Sequence, residues 1–174
     1  MKRIHDTIIE EGTEDLPIQK KRTTVRAIIY KNKELLMVYS RDFQDFIFPG
    51  GGHKTGEDLM EALKRELMEE LGAKSVTDIT AYGFMKEKRF GLSDQHTVYL
   101  QTSYYYLCQV DDFGEQALEE REIAHGTEPV WISIDEAIKR NQIAIETNHH
   151  HKGMKTVLPR EIIVLKDIKE YFNA

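Results

Sequence analysis

The chain has 174 residues, with 30 acidic and 24 basic side chains and a formal net charge of −6, which predict one acidic domain with a substantial core. This charge excludes an extended nucleic-acid-binding surface, because such a surface needs a stripe of basic residues. The only cysteine, Cys108, excludes an internal disulfide and is compatible with a reducing compartment. We find no signal-peptide pattern and no apolar run long enough to cross a membrane, so the expected location is the cytoplasm.

Residues 1–22 are mostly polar and end in the basic cluster Lys20, Lys21 and Arg22. This composition fits a loose arm or a short hairpin, and we expect the main domain to span residues 23–174. Residues 23–30 and 34–40 are two β-rich runs separated by a short polar turn. That pattern predicts a β-hairpin.

A helix is predicted from about residue 56 to residue 71, with Gly72 as its C-terminal cap. Three carboxylates, Glu66, Glu69 and Glu70, stand at offsets of three and four residues and therefore share one face of this helix. Leucines recur every four residues and form an apolar face beside it: Leu59, Leu63, Leu67 and Leu71.

Repulsion among the three carboxylates costs an isolated helix roughly 0.4 to 1 kcal/mol. A divalent cation that prefers oxygen ligands would offset that cost, and a carboxylate cluster without Cys or His favours magnesium or manganese over zinc. The alternative is a solvated helix with ion pairs, since Arg65 lies four residues before Glu69.

The residues around these carboxylates complete a longer pattern. Gly51 is followed after five residues by Glu57 and after seven more by Arg65; Glu66, Glu69, Glu70 and Gly72 come next. At every charged and glycine position this spacing resembles the Nudix box, the signature of the Nudix hydrolase superfamily. The last position of the box, usually a bulkier aliphatic residue, is Ala73 here.

The resemblance implies an α/β fold, in which a mixed β-sheet lies between α-helices, and metal-dependent hydrolysis of a nucleoside diphosphate linked to another moiety. It implies that Glu57 orients or assists and that Arg65 holds a carboxylate of the box in place. The general base would be Glu69 or a glutamate outside the box. The implied ligands of Mg²⁺ or Mn²⁺ are Glu66, Glu69, Glu70 and the carbonyl of Gly51.

Two further strands are predicted at residues 75–90 and 96–110. In the second, the even positions from Val98 to Val110 are mostly apolar, as expected of a strand with one buried face. We interpret the odd positions as a second packed face, with a substrate cleft as the alternative. Those positions include Tyr99, Gln101, Ser103 and Tyr105.

Residues 111–128 are acidic and lack clear periodicity, which predicts a surface loop. Nudix superfamily members often carry a catalytic or metal-binding glutamate outside the box, and this segment offers Glu115, Glu119, Glu120 and Glu122. Glu120 and then Glu119 are our first candidates. A solvated acidic loop is the alternative for each.

The last third of the chain is predicted to form a strand, a short helix capped by Ser133 or Asp135, and a final helix opened by Pro159. Trp131 is placed in the core. Three consecutive histidines, 149–151, fit a solvated loop better than a metal or phosphate site. The final helix would pack on the sheet through Ile162, Ile163, Leu165 and Ile168.

The substrate class is predicted by elimination, and the substrate contacts are candidates only. Residues 88–91 lack the proline and the tyrosine that mark many ADP-ribose and dinucleoside polyphosphate enzymes, which favours a nucleoside triphosphate. Arg41 and Arg89 are candidate phosphate contacts, and Phe48 is a core residue with base stacking as its alternative role. ADP-ribose, nucleotide sugars and dinucleoside polyphosphates stay open, as do a noncatalytic nucleotide sensor, an isoprenoid diphosphate isomerase and a homodimeric state.

Overall fold

The computed structural model describes residues 1–94, 96–148 and 151–173. Nine strands and four α-helices follow one another in these parts of the chain. The strands are β1 (Lys2–Arg3), β2 (Ile8–Ile9), β3 (Lys20–Ile28), β4 (Tyr30–Lys31), β5 (Glu34–Ser40), β6 (Asp45–Ile47), β7 (Ala73–Phe90), β8 (Val98–Phe113) and β9 (Thr127–Ser133). The helices are α1 (Leu59–Leu71), α2 (Glu120–Ala124), α3 (Ile134–Thr147) and α4 (Val157–Asn173), with a 3-10 turn at Lys152–Met154.

The strands form two sheets. In the first, β7 and β8 are antiparallel, β3 runs parallel to β8, and β1 and β2 run parallel to β7, so this sheet is mixed. In the second, β5 pairs with β4, β6 and β9, in each case antiparallel. Residues 1–22 therefore contribute β1 and β2, and also the first residues of β3, to the mixed sheet.

Two apolar cores lie on opposite sides of β5. Leu35 and Met37 pack with residues of α3 and α4, whereas Leu36 and Val38 pack with the leucines of α1. Alternate side chains of a strand point to opposite faces, and both faces of β5 are covered, so its sequence is continuously apolar. The arrangement places α1 on one side of the sheets and α3 and α4 on the other, as expected for an α/β fold with helices on both sides.

The predicted hairpin of residues 23–30 and 34–40 is only partly correct. Asn32 and Lys33 form the expected tight turn with positive φ angles of 53° and 68°, and β4 pairs with β5 across it. The longer strand β3, however, pairs with β8 in the other sheet. The chain changes sheets near Ile29 because its two neighbouring strands have different partners, a long-range choice that local sequence does not encode.

Helix α1 begins later than predicted and ends where predicted. Asp58 caps its N-terminus in a capping box with Glu61, and Gly72 adopts a left-handed conformation at its C-terminus. Ser133 caps α3 by accepting a hydrogen bond from the amide of Glu136, which confirms one of the two predicted caps.

Two predictions for the second half are wrong. Residues 111–128 are not one loop, because β8 continues to Phe113, α2 occupies residues 120–124 and β9 begins at Thr127. Trp131 is 37% exposed rather than buried, since β9 buries its neighbour Ile132 instead. No helix in the described parts of the chain is long and apolar enough to span a membrane.

The final helix packs as predicted, with Leu165 and Ile168 fully buried, and its sequence also hides a charged interior. Arg160 and Glu161 are 1% and 0% exposed. Arg160 bonds to Glu87 on β7, and Glu161 accepts a hydrogen bond of 2.8 Å from the amide of Phe48. This buried ion network joins α4 to the sheet. Of the three histidines, His149 and His150 lie outside the described residues, and the ring of His151 packs against Phe43 at 4.1 Å.

A buried carboxyl on β6 makes stability depend on pH. Burial, followed by the charge of Glu161, raises the pKa of Asp45 to about 7. The folded protein therefore keeps this proton up to about pH 7 while the unfolded chain loses it near pH 4, so stability falls as pH rises through that window. We expect Asp45→Asn to remove this loss and to be more stable than the parent by up to about 3 kcal/mol at pH 8.

Urea unfolding at pH 4 and pH 8 measures this effect, with the exposed Asp15→Asn as a control. An Asp45→Asn variant whose difference from the parent is the same at both pH values would contradict it.

Candidate active site

A turn at residues 50–52, here called the glycine turn, lies against β3. The amide of Val25 donates to the carbonyl of Gly51 at 2.9 Å. Gly50 has φ +127°, and a Cβ atom there would lie 2.2 Å from the carbonyl oxygen of Val25; at Gly51 it would lie 2.3 Å from a carboxylate oxygen of Glu66. Only glycine lets the backbone approach both neighbours this closely.

Arg65 is the centre of the carboxylate cluster on α1. Its Nε and Nη2 atoms donate to both oxygens of Glu57 at 3.0 and 2.8 Å, and its Nη2 also donates to the carbonyl of Gly52 at 2.9 Å. Its Nη1 atom lies 2.6 Å from Glu66 and 3.4 Å from Glu69. Such a two-pronged contact fixes a carboxylate in orientation as well as position. One arginine thus joins the glycine turn to three carboxylates.

The site gives its carboxylates different proton affinities. The hydrogen bonds from Arg65, and then that from the amide of Lys54, lower the pKa of Glu57 to about 2. Glu70 is 7% exposed and accepts a hydrogen bond of 2.7 Å from the amide of Gly50. Burial raises the pKa of Glu70 to about 8, although the charge of Arg26 and this hydrogen bond act in the opposite direction. Glu57 is therefore a fixed negative charge, whereas Glu70 is mostly protonated at neutral pH, and a bound cation would favour its charged form.

The segment after β8 brings another glutamate to this cluster. Ala117 donates its amide to the carbonyl of Glu69 at 2.9 Å, and the side chain of Gln116 bonds to the carbonyl of Glu70. These contacts place α2 beside the end of α1. Burial raises the pKa of Glu122, and the nearby charges of Glu119 and Glu66 raise it further. Glu122 is therefore the glutamate of this segment whose pKa is raised by the charge of Glu66 and whose own charge raises the pKa of Glu70.

The carboxylates surround Arg65 rather than a common point. Among the described residues, no three His, Cys, Asp or Glu side chains are close enough together to form a complete cation site. Glu57 is held by the guanidinium of Arg65 and Glu70 by the amide of Gly50, and each contact draws its carboxylate in a different direction. A cation here would compete with Arg65 for Glu66 and Glu69.

Comparison with known proteins identifies this arrangement. The family model of the NUDIX domain matches residues 20–154, a range that includes the glycine turn, α1 and α2. The chain belongs to the Nudix hydrolase family. A stretch of 51 residues is 39% identical to Nudix hydrolase 13, mitochondrial, from Arabidopsis thaliana and covers 29% of this chain. This match spans only 25% of that relative's length.

Solved structures support the same assignment. A NUDIX hydrolase from Nitrosomonas europaea is 25% identical, with a TM-score of 0.54 over 76% of this chain and 90% of that one. A mutator MutT protein from Bacillus halodurans is 17% identical, with a TM-score of 0.50 over 68% of this chain and 72% of that one, and shares the fold. The predicted Nudix fold is confirmed.

The structure gives the other candidate residues the following surroundings. Arg41 is exposed and pairs with Glu128 at 3.1 Å. Arg89 is 3% exposed and donates to the side chain of Gln101 at 2.9 Å. Phe48 is fully buried with its ring edge-on to Tyr105, so it lies in the core. Glu120 is exposed at the start of α2.

The sequence held one further signal for the Nudix site. Glu122 stood among the four acidic candidates, but a helix of only five residues gives no periodicity from which to tell its inner face from its outer face. The alternation of β3 was visible, and it places Arg22 and Arg26 on one face. Their neighbours become known only from the pairing of β3 with β8.

Proposed function

We propose that this chain hydrolyses the diphosphate linkage of a nucleoside diphosphate derivative in a reaction that requires Mg²⁺ or Mn²⁺. The observation that supports this proposal is the convergence of Glu57, Glu66 and Glu69 on Arg65 beside the glycine turn, with Glu70 bonded to that turn. Even with Glu70 protonated, the three other carboxylates outnumber the one arginine and leave a net negative site. Such a site would repel a phosphate ester unless cations are bound.

The donor chemistry fits a hard divalent cation. Each candidate ligand, namely Glu66, Glu69, Glu70 and the carbonyl of Gly51, offers oxygen, which magnesium and manganese prefer. The Gly51 carbonyl accepts one hydrogen bond, from Val25, and keeps a second lone pair. When bound, the cation would neutralise the developing charge on the phosphate oxygens and activate water. Binding would also offset the cost of ionising the buried Glu70.

We infer that Glu122 accepts the proton of the attacking water. A general base works best when its pKa lies near the working pH, and burial with neighbouring negative charge raises the pKa of Glu122 toward that range. Arg65 and Glu57 do not exchange protons in this scheme. They hold the glycine turn and α1 at a fixed distance, because Arg65 bonds to Gly52 and Glu57 together. Glu69 is the alternative base.

The proposal is tested by measuring phosphate and pyrophosphate release from a panel of nucleotides. The panel contains nucleoside triphosphates, nucleotide sugars, ADP-ribose and dinucleoside polyphosphates, each assayed with Mg²⁺, with Mn²⁺ and with excess chelator. We expect turnover of at least one class with metal and none with chelator. Nucleotide binding without turnover of any class would instead indicate a noncatalytic sensor, and turnover that persists in chelator would refute the metal requirement.

We expect Glu122→Gln to lower turnover by about 10²-fold. The amide keeps the shape of the side chain and can still accept the hydrogen bond from the Glu119 amide that caps α2, but it cannot take a proton. The pH profile distinguishes this loss from misfolding, since the rise of kcat/KM with pH through the Glu122 pKa should disappear. Glu120→Gln on the same helix is the matched control. A larger loss in Glu120→Gln would transfer the role of base to Glu120.

A further inference from the structure

Three arginines share one face of the mixed sheet beside the carboxylates. Because alternate residues of a strand share a face, Arg22 and Arg26 project from the same side of β3. Arg22 lies opposite Gln101 of β8, and the oxygen of the Gln101 side chain accepts a hydrogen bond from Arg89 of β7 at 2.9 Å. The three guanidinium groups therefore line one strip of the sheet.

Arg26 places this strip next to the site. Its Nη1 atom donates to the carbonyls of Phe48 and Gly50 at 3.0 and 2.5 Å, at the entrance to the glycine turn. Its charge acts to lower the pKa of Glu70, which bonds to the same turn. Its buried Nε atom has no hydrogen-bond partner among the described residues. Arg26 thus adds positive charge at the boundary between the glycine turn and α1.

Arg22 differs from Arg89 and Arg121 in that no described residue places an opposing charge against it. Arg89 faces Glu87 at 3.8 Å, and Arg121 on α2 faces Glu119 at 3.9 Å. In contrast, the guanidinium of Arg22, an exposed residue, makes no hydrogen bond or ion pair with any residue that the structure describes. Its Nη2 atom lies 3.5 Å from the position that a Cβ atom would take at Gly52, so the guanidinium is at the rim of the glycine turn.

The electrostatics of Arg22 reflect this crowding. Partial burial, followed by the charges of Arg26, Arg89 and Arg121, lowers the pKa of Arg22. Like charges repel one another, and Tyr99 acts against that repulsion, but no Asp or Glu among the described residues forms an ion pair with Arg22. A bound anion would offset it and would bring several charge-assisted hydrogen bonds. The strip lies beside carboxylates suited to a cation, so the same anion could contact both.

We propose that Arg22, supported by Arg26, binds the phosphate chain of a nucleoside triphosphate. This inference rests on the proposed function and specifies its substrate class. The cation held by the carboxylates of α1 would neutralise the charge of the diphosphate that is cleaved. The arginines add positive charge that two phosphates do not need, and a third phosphate supplies the matching negative charge. ADP-ribose and nucleotide sugars have only two phosphates.

The test compares Arg22→Gln with the parent in two assays of the full chain. The first measures KM for ATP and for ADP-ribose with Mg²⁺. The second measures binding of inorganic tripolyphosphate by calorimetry without divalent cations, and therefore does not depend on catalysis. We expect KM for ATP and the tripolyphosphate dissociation constant to rise about tenfold or more, with less than a twofold change in KM for ADP-ribose. Arg22→Lys should recover part of the loss, because it keeps the charge but not the fork.

Arg140→Gln is the control, since Arg140 is an exposed residue of α3. An equal loss for ATP and ADP-ribose would overturn the triphosphate assignment and leave the proposed hydrolysis standing. Tripolyphosphate affinity that is unchanged in Arg22→Gln would overturn the anion site itself. Tripolyphosphate binding without any binding of ATP would refute the claim that the bound phosphate chain belongs to a nucleotide. If no nucleotide is hydrolysed, the calorimetric assay still decides whether Arg22 binds a phosphate chain, so the two failures are distinguishable.

Discussion

Glu69→Gln is expected to lower metal-dependent turnover by about 10³-fold while leaving the fold intact. The substitution removes one of the carboxylates proposed to hold the cation and keeps the volume of the side chain. Glu69 lies 3.4 Å from Arg65, the longest of the contacts that Arg65 makes to a carboxylate, so its loss perturbs the rest of the cluster least. The concentration of Mg²⁺ needed for half-maximal activity should rise together with the loss of turnover.

The matched control for this variant is Glu61→Gln on the same helix. Glu61 completes the capping box with Asp58, a role that glutamine also fills, and it is an exposed residue. Steady-state turnover, Mg²⁺ titration and the urea midpoint of both variants form one data set. Turnover of Glu69→Gln within a few-fold of the parent would refute the assignment of the cation to this face of α1.

The sequence predicted the shared helix face of the box carboxylates because the spacing of residues along a helix determines which of them are neighbours. Offsets of three and four residues place Glu66, Glu69 and Glu70 on one face whatever the rest of the chain does. The position of Gly72 also followed from a local rule, since a left-handed residue at the end of a helix favours glycine. Contacts between residues that are close in sequence therefore came out correctly.

Contacts that depend on pairing between distant segments could not be predicted in the same way. Arg41 and Arg89 were candidate phosphate contacts, and the structure shows that Arg41 pairs with Glu128 on β9 and that Arg89 lies against Gln101 on β8. Arg22 looked like part of a basic arm because its opposite residue on β8 lies 79 positions away. The inward face of Glu122 depends on a hydrogen bond from Ala117 to α1. No periodic pattern in the local sequence indicates any of these contacts.

The apolar pattern of α4 concealed the largest departure from a simple core. Ile162, Leu165 and Ile168 correctly predicted which face is buried, but Arg160 and Glu161 precede them and are buried as well. A charged residue is almost never fully buried unless it is paired. The partner of Arg160 is Glu87 on β7, and neither residue indicates the other in the sequence.

Arg160→Met is expected to lower the free energy of unfolding by about 3 to 5 kcal/mol near neutral pH. Arg160 is 1% exposed, bonds to Glu87 and Glu161, and lies 3.3 Å from the hydroxyl of Ser103. Methionine fills much of the same volume but removes the closest cation from two buried carboxylates, and leaves Glu87 only the more distant Arg89 at 3.8 Å. An unpaired buried charge costs far more than the pair contributes, so the loss should exceed that of an ordinary core substitution.

The pH dependence of this loss identifies its cause. Burial acts to raise the pKa of Glu87, but the charges of Arg160 and then Arg89 prevail and lower it. A carboxylate with a lowered pKa adds stability above its unfolded pKa, near 4.3, and loses that contribution as the pH falls through its folded value. In Arg160→Met the buried Glu87 instead takes up a proton more readily as the pH falls, because burial acts to raise its pKa. The difference between parent and variant should therefore be full at pH 8 and clearly smaller at pH 5.

Urea unfolding of the parent, Arg160→Met and the double variant Arg160→Met with Glu87→Gln at both pH values measures these terms. The double variant should recover part of the loss at pH 8, because it no longer buries the charge of Glu87. Lys166→Met on the same helix, where Lys166 is exposed, is the control for removing a cation from α4. A loss that is equal at pH 5 and pH 8, with no recovery in the double variant, would mean that Arg160 stabilises α4 by packing. In that case the buried ion network would not be the cause of the contact between Glu161 and the amide of Phe48. It would also not be what positions the entrance to the glycine turn, which follows Phe48.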